Sequence, residues 1–390
     1  MELKKYKLGE ILELQRGYDL PSSQMKIGSV PVAGSNGVIG YHDTARGNYP
    51  CITVGRSGSV GKVHYYEQPT WAHNTALFVK NFKGNDPKYL YYFLKNLHLD
   101  EMFSKGSSVV PSLDRKVVHS LIVPFQEDKT CQKQIASVLS NIDRKIELNR
   151  AINQNLVAMA KQLYDYWFVQ FDFPDENGRP YKSSGGKMVW NEKLKREIPK
   201  GWDVKTMGNC TTILLGGTPD TNDSSLWGDG YNWLNSGEVA EFPILSSEKY
   251  ITQKGLEKSS TVLAPKGSVT LSITRHLRPS ILCIDACINQ SVVAILENEI
   301  LTNEYIYPLI NREIPRLMSL RTGAQQPHIN KEIVESINVV IPPKRILYAY
   351  IKKSKSLYKS IFINAQEIAD LAKQRDELLP LLMNGQVSVN

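Results

Sequence analysis

Gln15 and Arg16 stand just before a glycine in the stretch QRGYDLPSS. Arg56, Ser57, Ser59 and Lys62 crowd a second glycine turn, GRSGSVGK, and Lys105, Ser107, Ser108, Ser112 and Arg115 mark a third, KGSSVVPSLDR. On projecting turns, such side chains exchange hydrogen bonds with base edges, while cations and the N–H groups of glycine-rich loops hold phosphates. The chemistry on offer is recognition of a nucleic acid. A second series has the same character: Thr218 in GGTPDTND, then Arg275, His276 and Arg278 in TRHLR, then Arg321, Gln325, Gln326, His328 and Lys331 in RTGAQQPHINK. Gln325 and Gln326 are the strongest base-contact candidates of that series, because a glutamine amide pairs bidentately with adenine. Two shorter correspondences complete the set. Ser35 and Asn36 in GSNG answer to Asn235 and Ser236 in LNSGE, and His73 in HNT answers to INQ, Ile288 to Gln290. Asn74 and Asn289 read instead as residues that shape strand turns. Any one of these loops also reads as a solvated connection between strands; their occurrence at matching places in both halves weighs for binding.

The rest of the composition is that of a folded protein. With 390 residues, 42% hydrophobic and 22% charged, the chain is long enough for two or three domains. Its net charge of +8 fits a polyanionic partner. No apolar run approaches the roughly 18 residues that span a bilayer, and MELKKYKLGEIL lacks the apolar core of a secretory signal, so a cytoplasmic protein is expected. Five cysteines without a C-x-x-C pair argue against a disulfide framework or a zinc site, and Cys283 and Cys287 read as strand sulfur.

Catalytic signatures are missing. The Pro342-Pro343 pair lies between Ile341 and Lys344, not in the Asp/Asn-Pro-Pro-aromatic loop that grips a flipped base. The E-x-K triplets, Glu2 to Lys4 and Glu127 to Lys129, precede the Pro-Asp pairs at 174 and 219, the wrong order for a PD…E-x-K nuclease. Neither a phosphate loop nor a dinucleotide fingerprint is present, and His73 and His276 stand alone. Neither a metal nor a cofactor is expected on this chain.

What positions the polar turns is an internal repeat. KLGEILELQRGYDLP (7 to 21) resembles TMGNCTTILLGGTPD (206 to 220), with Gly9 matching Gly208 and Gly17 matching Gly216. GSSVVPSLDRKVVHSLIVPF (106 to 125) resembles GAQQPHINKEIVESINVVIPP (323 to 343). Between these anchors lie β-branched runs broken by glycine, PCITVGRSGSVGKVHYY and TALFVKN in the first half, GSVTLSITRHLRPSILCID and QSVVAIL in the second. Each half reads as an α+β globule whose opening helix leads into the first glycine turn.

A long heptad follows each globule. Ile135, Ile142, Asn149, Leu156 and Leu163 recur every seven residues, interleaved with Leu139, Ile146, Asn153, Ala160 and Trp167. Adding 215 to the first five numbers gives Tyr350, Leu357, Asn364, Leu371 and Leu378. Each helix would be about 35 residues, roughly 52 Å. The stretch 171 to 202, rich in Gly, Pro and charge, reads as a connector. The expected division is therefore 1–128, 129–170, 171–197, 198–343 and 344–385: globule, long helix, connector, globule, long helix.

FDFPDENGRPYKSSGGKMVWNEKLKREIPKGW, the preceding QKQIASVLSNIDRKIELNRAINQNLVAMAKQLYDYWF and the duplicated plan resemble the specificity subunit of Type I restriction-modification systems, over essentially the whole chain. The resemblance is most specific in the central helix and at EIPKGW, Glu197 to Trp202. It implies an α+β fold with two similar target-recognition domains separated by two long antiparallel coiled-coil helices, in pseudo-two-fold arrangement. It implies a non-catalytic reader of a bipartite, interrupted target in double-stranded DNA, with the helices as ruler and docking site for two methyltransferase subunits, to which restriction subunits add. S-adenosylmethionine, ATP and Mg would then belong to the partners. Ser354 and Arg375, at seam positions of the second helix, depart from the family pattern.

Asn149 and Asn364 are repeat equivalents on apolar seams. A seam amide lowers stability but penalises shifted registers, so the two are expected at corresponding levels, as register markers. A protein–protein scaffold with two similar heads and incidental basic charge is the alternative to the DNA reader.

Overall fold

Alternating β-branched runs interrupted by glycine form short strands, and the heptads form two long helices. The computed structural model describes residues 3–104, 112–274, 276–323 and 327–389. In chain order the first part holds β1 (Lys4–Lys7), α1 (Leu8–Ile11), β2 (Glu13–Arg16), β3 (Val30–Gly34), β4 (Gly37–His42), β5 (Cys51–Gly55), β6 (Val63–Tyr66), β7 (Trp71–Ala72), β8 (Ala76–Asn81), α2 (Pro87–Asn96), α3 (Leu99–Ser104), α4 (Arg115–Ser120), β9 (Ile122–Phe125) and α5 (Lys129–Tyr164). The second holds β10 (Met188–Asn191), β11 (Arg196–Pro199), β12 (Asp203–Thr206), β13 (Ile213–Leu215), β14 (Trp227–Leu234), β15 (Lys249–Ile251), α6 (Gln253–Glu257), β16 (Val262–Ala264), β17 (Val269–Ser272), β18 (Pro279–Ile281), β19 (Ala286–Ile288), β20 (Val292–Ile295), α7 (Asn303–Ser319), α8 (Lys331–Glu335), β21 (Asn338–Ile341) and α9 (Lys344–Met383).

The chain separates into two compact units, Met1–Glu147 with Ala369–Asn390, and Leu148–Ile368. The boundaries fall inside the long helices, so each unit is a globule with a piece of both helices rather than a globule alone.

In the first unit the sheet order is β2-β8-β5-β6, beside a sheet β4-β3-β7 and the antiparallel pair β1-β9. Asp86 caps α2 by accepting from the Tyr89 N–H at 2.9 Å, with Pro87 at the first helical position. Ile135, Ala136 and Leu139 of α5 enter the same core as Leu379, Leu382 and Met383 of α9. Arg375 answers its place on the seam with a charged contact, 2.7 Å from Asp143, which also accepts from the Tyr92 hydroxyl at 2.6 Å.

The second unit repeats the plan. Its first sheet is β13-β20-β17-β18, its second β15-β14-β19-β16, and β12 pairs with β21. Tyr164, Trp167 and Phe168 close the end of the first long helix around the buried Tyr350 of α9, with ring centroids at 6.4, 5.8 and 4.7 Å. Ser354 is fully buried, and its hydroxyl is satisfied by donating to the Tyr350 carbonyl one turn back, at 3.1 Å.

The structure adds detail to one expectation and corrects another. The 171–202 connector is folded: β10 and β11 pair antiparallel, Phe173 stacks on Tyr181 at 4.7 Å and on Trp202 at 4.9 Å, and Phe171 and Trp202 join the core. Its aromatic residues lie too irregularly in sequence to show a period, yet they converge. The opening helix is a single turn, α1, and the glycine turn follows the edge strand β2 instead.

The helix seam also differs in detail. Asn364 donates to the Asn153 side-chain oxygen at 3.0 Å, Asn153 donates to the Ile361 carbonyl at 3.0 Å, and Asn149 donates to Glu367 at 2.8 Å. As numbers rise on α5 they fall on α9, so the two segments run antiparallel. The amides are thus paired one turn away from the Asn149–Asn364 match.

Candidate nucleic-acid interface

In the first unit a cleft of about 860 Å³ is lined by Gln15, Arg16, Tyr18, Asp19, Arg46, Arg56, Ser112, Asp114 and Arg115, with Gly17, Leu77 and Leu113. Five of the residues proposed from the sequence, Gln15, Arg16, Arg56, Ser112 and Arg115, therefore meet in one place. Gly17 makes this possible: a Cβ there would lie 2.1 Å from the His73 carbonyl, so only glycine lets β2 turn against β7. The turn is held by Gly17 N–H to Ala76 O at 3.0 Å and Tyr18 N–H to Ala72 O at 2.8 Å.

Arg56 is pinned by its backbone, donating to Thr75 O and accepting from Leu113 N–H, each at 2.9 Å, while Ser57 pairs with Ser112. Arg115 opens α4 beside Asp114, whose carboxylate caps the helix by accepting from the Lys116 N–H at 2.8 Å. Underneath, His119 accepts the Leu14 N–H at 2.8 Å; burial, then the nearby Arg115, hold its imidazole below the ordinary value. Arg16 lies 3.9 Å from Asp19, a loose and solvent-screened pair. Four arginines thus face two carboxylates.

Arg46, Tyr18 and Trp71 were not among the residues proposed from the sequence. The Arg46 guanidinium carbon sits 3.9 Å from the Tyr18 ring centroid and 5.7 Å from that of Trp71. The signal was present: Arg46 also precedes a glycine, in TARGNYP, and Tyr18 follows Gly17. Nothing local showed that the two would touch.

The other candidates of this unit are placed apart from that constellation. Lys62 donates to Asn36 at 2.9 Å, joining the β3–β4 turn that carries Ser35 and Asn36 to the turn after β5. The His73 ring is engaged internally, 3.0 Å from the Thr75 hydroxyl and bonded to the Leu20 backbone, with its pKa lowered mainly by burial. It braces the turn.

In the second unit, His276 and Arg278 are exposed, Arg321 donates to the Met318 carbonyl at 3.0 Å, and Thr218 donates to the Gln290 side chain. His328 pairs through its backbone with Thr274 and Thr322. Asn235 is occupied by its own turn: its oxygen accepts from Gly237 N–H at 2.7 Å and its amide donates to Glu238 at 2.6 Å, beside the half-buried Ser236. Lys331 pairs with Glu335 at 3.2 Å. Lys105, Ser107, Ser108, Arg275, Gln325 and Gln326 lie outside the described residues.

Backbone hydrogen bonds set the two units in register. Gly17 to Ala76 corresponds to Gly216 to Val292; Arg56 to Thr75 corresponds to Ile273 to Ser291; and the Ser57–Ser112 bridge corresponds to Thr274–His328. Asp114 and Asn330 cap equivalent helices. This register corrects two alignments. His73 answers to Asn289, one residue on from Ile288, and Arg56 answers to Ile273, not to an arginine of TRHLR.

Among the described residues no helix is long and apolar enough to cross a membrane, and no group of three or more His, Cys, Asp or Glu side chains is placed to hold a metal. The duplicated frame and its cationic cleft define a nucleic-acid-reading class. The family described as Type I restriction modification DNA specificity domain matches residues 1–158 and 199–372, and the chain belongs to it. That membership favours the DNA reader over the protein scaffold.

Relatives carry the same description. The chain is 25% identical over 311 residues to the Type I restriction enzyme MjaIX specificity subunit of Methanocaldococcus jannaschii, covering 77% of this chain and 69% of that one. It is 24% identical over 364 residues to the HindI specificity subunit of Haemophilus influenzae, covering 77% of each. The crystal structure of the Type I restriction-modification S subunit from M. genitalium shares the fold, with a TM-score of 0.62 at 16% identity over 98% of this chain and 96% of that one.

Proposed function

We propose that this chain is the non-catalytic specificity subunit of a cytoplasmic Type I restriction-modification complex, reading a bipartite, interrupted target in double-stranded DNA. The observation that carries this reading is the gathering of Arg16, Arg46, Arg56 and Arg115 in one cleft, on a backbone frame that the second unit repeats. Cations there bind phosphates and set the protein's position, while Gln15 and the fork of an arginine can address base edges. Each unit reads one half of the target. Two methyltransferase subunits and the restriction subunits supply the chemistry, together with S-adenosylmethionine, ATP and Mg.

The test is direct. Purified chain, assembled with its cognate methyltransferase and incubated with plasmid and S-adenosylmethionine, should methylate one split sequence. Methylation of a continuous site, or none that depends on this chain, would refute the proposal. DNA binding by the complex should also weaken by about 10³-fold or more between 50 and 200 mM salt, the signature of several neutralised phosphates.

A further inference from the structure

Within the cleft, one arginine differs from the rest in how it is held. Arg46 N–H donates to Thr70 O at 3.1 Å and its carbonyl accepts from Ala72 N–H at 2.9 Å, so its backbone is locked beside β7. Its guanidinium carbon comes within 3.9 Å of the Tyr18 ring centroid, with that of Trp71 at 5.7 Å, close enough for the group to stack on the tyrosine. That platform is itself braced: Gln15 donates to the Tyr18 hydroxyl at 3.1 Å, Trp71 donates to the Tyr18 carbonyl at 3.3 Å, and the Tyr18 ring packs on Phe78 at 5.8 Å. Among the described residues no ion pair engages Arg46, Arg56 or Arg115, whereas Arg16 leans on Asp19.

Stacking uses the face of a guanidinium and leaves its N–H edge pointing outward. A fork with its plane set by an aromatic ring meets two acceptors in one orientation, which a flexible cation does not. Guanine presents such a pair, O6 and N7, in the major groove. Phosphate presents oxygens too, but gains nothing in sequence information from a fixed plane, and the exposed Arg16 and Arg115 already serve it.

We infer that Arg46, oriented by the Tyr18 and Trp71 rings, reads a guanine edge in the half-site bound by the first unit, while Arg16 and Arg115 hold phosphates. This rests on the DNA-specificity reading above. It makes Arg46 a specificity-determining residue, and Tyr18 a positioning one.

The experiment uses the chain assembled with its methyltransferase. Sequencing methylated positions in a randomised DNA pool gives the wild-type target; should no split target emerge, the specificity reading fails and Arg46 is not at issue. With a target in hand, Arg46→Lys keeps the charge but loses the fork. It should relax one G·C position of one half-site by about ten- to a hundredfold while the other half-site keeps its preferences. Tyr18→Leu should relax the same position less, and Arg115→Ala should lower methylation of all sequences evenly. Two results overturn the inference: Arg46→Lys and Arg46→Ala leaving every base preference intact, or Arg46→Ala weakening all sequences evenly as a phosphate-binding residue would. Retained preferences at the other positions of the first half-site report that the first unit of the variant is folded.

Discussion

The two units share a backbone and differ in what they hang on it. Where the first places Arg16 at the rim of its cleft, the second places Leu215, 42% exposed; where the first presents Arg56, the second buries Ile273, 6% exposed. Arg115 has Lys331 as its counterpart, and Lys331 is drawn to Glu335, which stands where the first unit has His119. Tyr18, the ring beneath Arg46, corresponds to Gly217. At these four positions the first unit carries three arginines and a tyrosine where the second carries a leucine, an isoleucine, a paired lysine and a glycine. A frame held by backbone hydrogen bonds and close glycine packing accommodates both kinds of change, one exposed side chain for another at Arg16 and Leu215, and a core isoleucine, Ile273, where the first unit has the half-buried Arg56.

The equivalence of the frames can be broken at Gly17 and Gly216. A Cβ at either position would lie 2.1 Å from a carbonyl oxygen, of His73 or of Ile288. Gly17→Val and Gly216→Val should each destabilise their own unit by about 3 kcal/mol, read as loss of amide protection confined to that unit. Wild-type protection in either variant would mean that the two turns are not equivalent.

The electrostatic difference between the units is sharpened by exchange. Arg16→Ala combined with Arg56→Ala and Arg115→Ala should reduce the slope of log affinity against log salt by about 2 to 3, since each phosphate no longer neutralised accounts for about 0.9. Lys331→Ala should change it far less, because Glu335 already neutralises that ammonium. Leu215→Arg should steepen the slope by about 0.9. Fluorescence anisotropy of labelled duplex measures all three, and equal slopes for the two sets of alanine variants would erase the contrast.

The helix seams differ too, with an ion pair in the first unit and amide hydrogen bonds in the second. Asp143→Ala in the first unit leaves the half-buried Arg375 without its main partner and should cost about 2 kcal/mol. Asn153→Leu in the second removes the acceptor of the Asn364 amide and should cost about 1 kcal/mol, much of it recovered when Asn364→Leu is added. Urea denaturation of the single and double variants reads both.

The smallest effect is on pH dependence, and it belongs to the first unit. Burial, its first cause in each case, lowers the pKa of His64, His73 and His119 from 6.5. These groups are neutral in the folded unit, so as pH falls the unfolded chain takes up protons first. Their contribution is complete above 6.5 and declines as pH falls below it. Hydrogen exchange at pH 5.5 and 7.5 should show the first unit loosening at the lower pH, less so in His119→Gln; loosening of the second unit by the same amount would assign the effect elsewhere.

Much of the frame was legible in the residues themselves. The repeat, the two long heptads and Gly17 with Gly216 are visible because local chemistry specifies them: period and backbone freedom. Residue type and glycine context marked Gln15, Arg16, Arg56, Ser112 and Arg115 as candidates, on three separate turns. The pairing of Arg46 with Tyr18, the folding of the aromatic connector and the partners of Asn153 and Asn149 were not legible there.

Those were decided by tertiary structure. Strand side chains alternate between faces, so a slip of one residue, as between Ile288 and Asn289, reverses what a position presents. Arg46 and Tyr18 meet only because Gly17 and Arg46 both pack against β7 from distant parts of the chain. The sequence by itself determined the duplicated frame and the supply of cations, because those depend on near neighbours; which cations share a cleft, and with which rings, depends on strand pairings that no local pattern encodes.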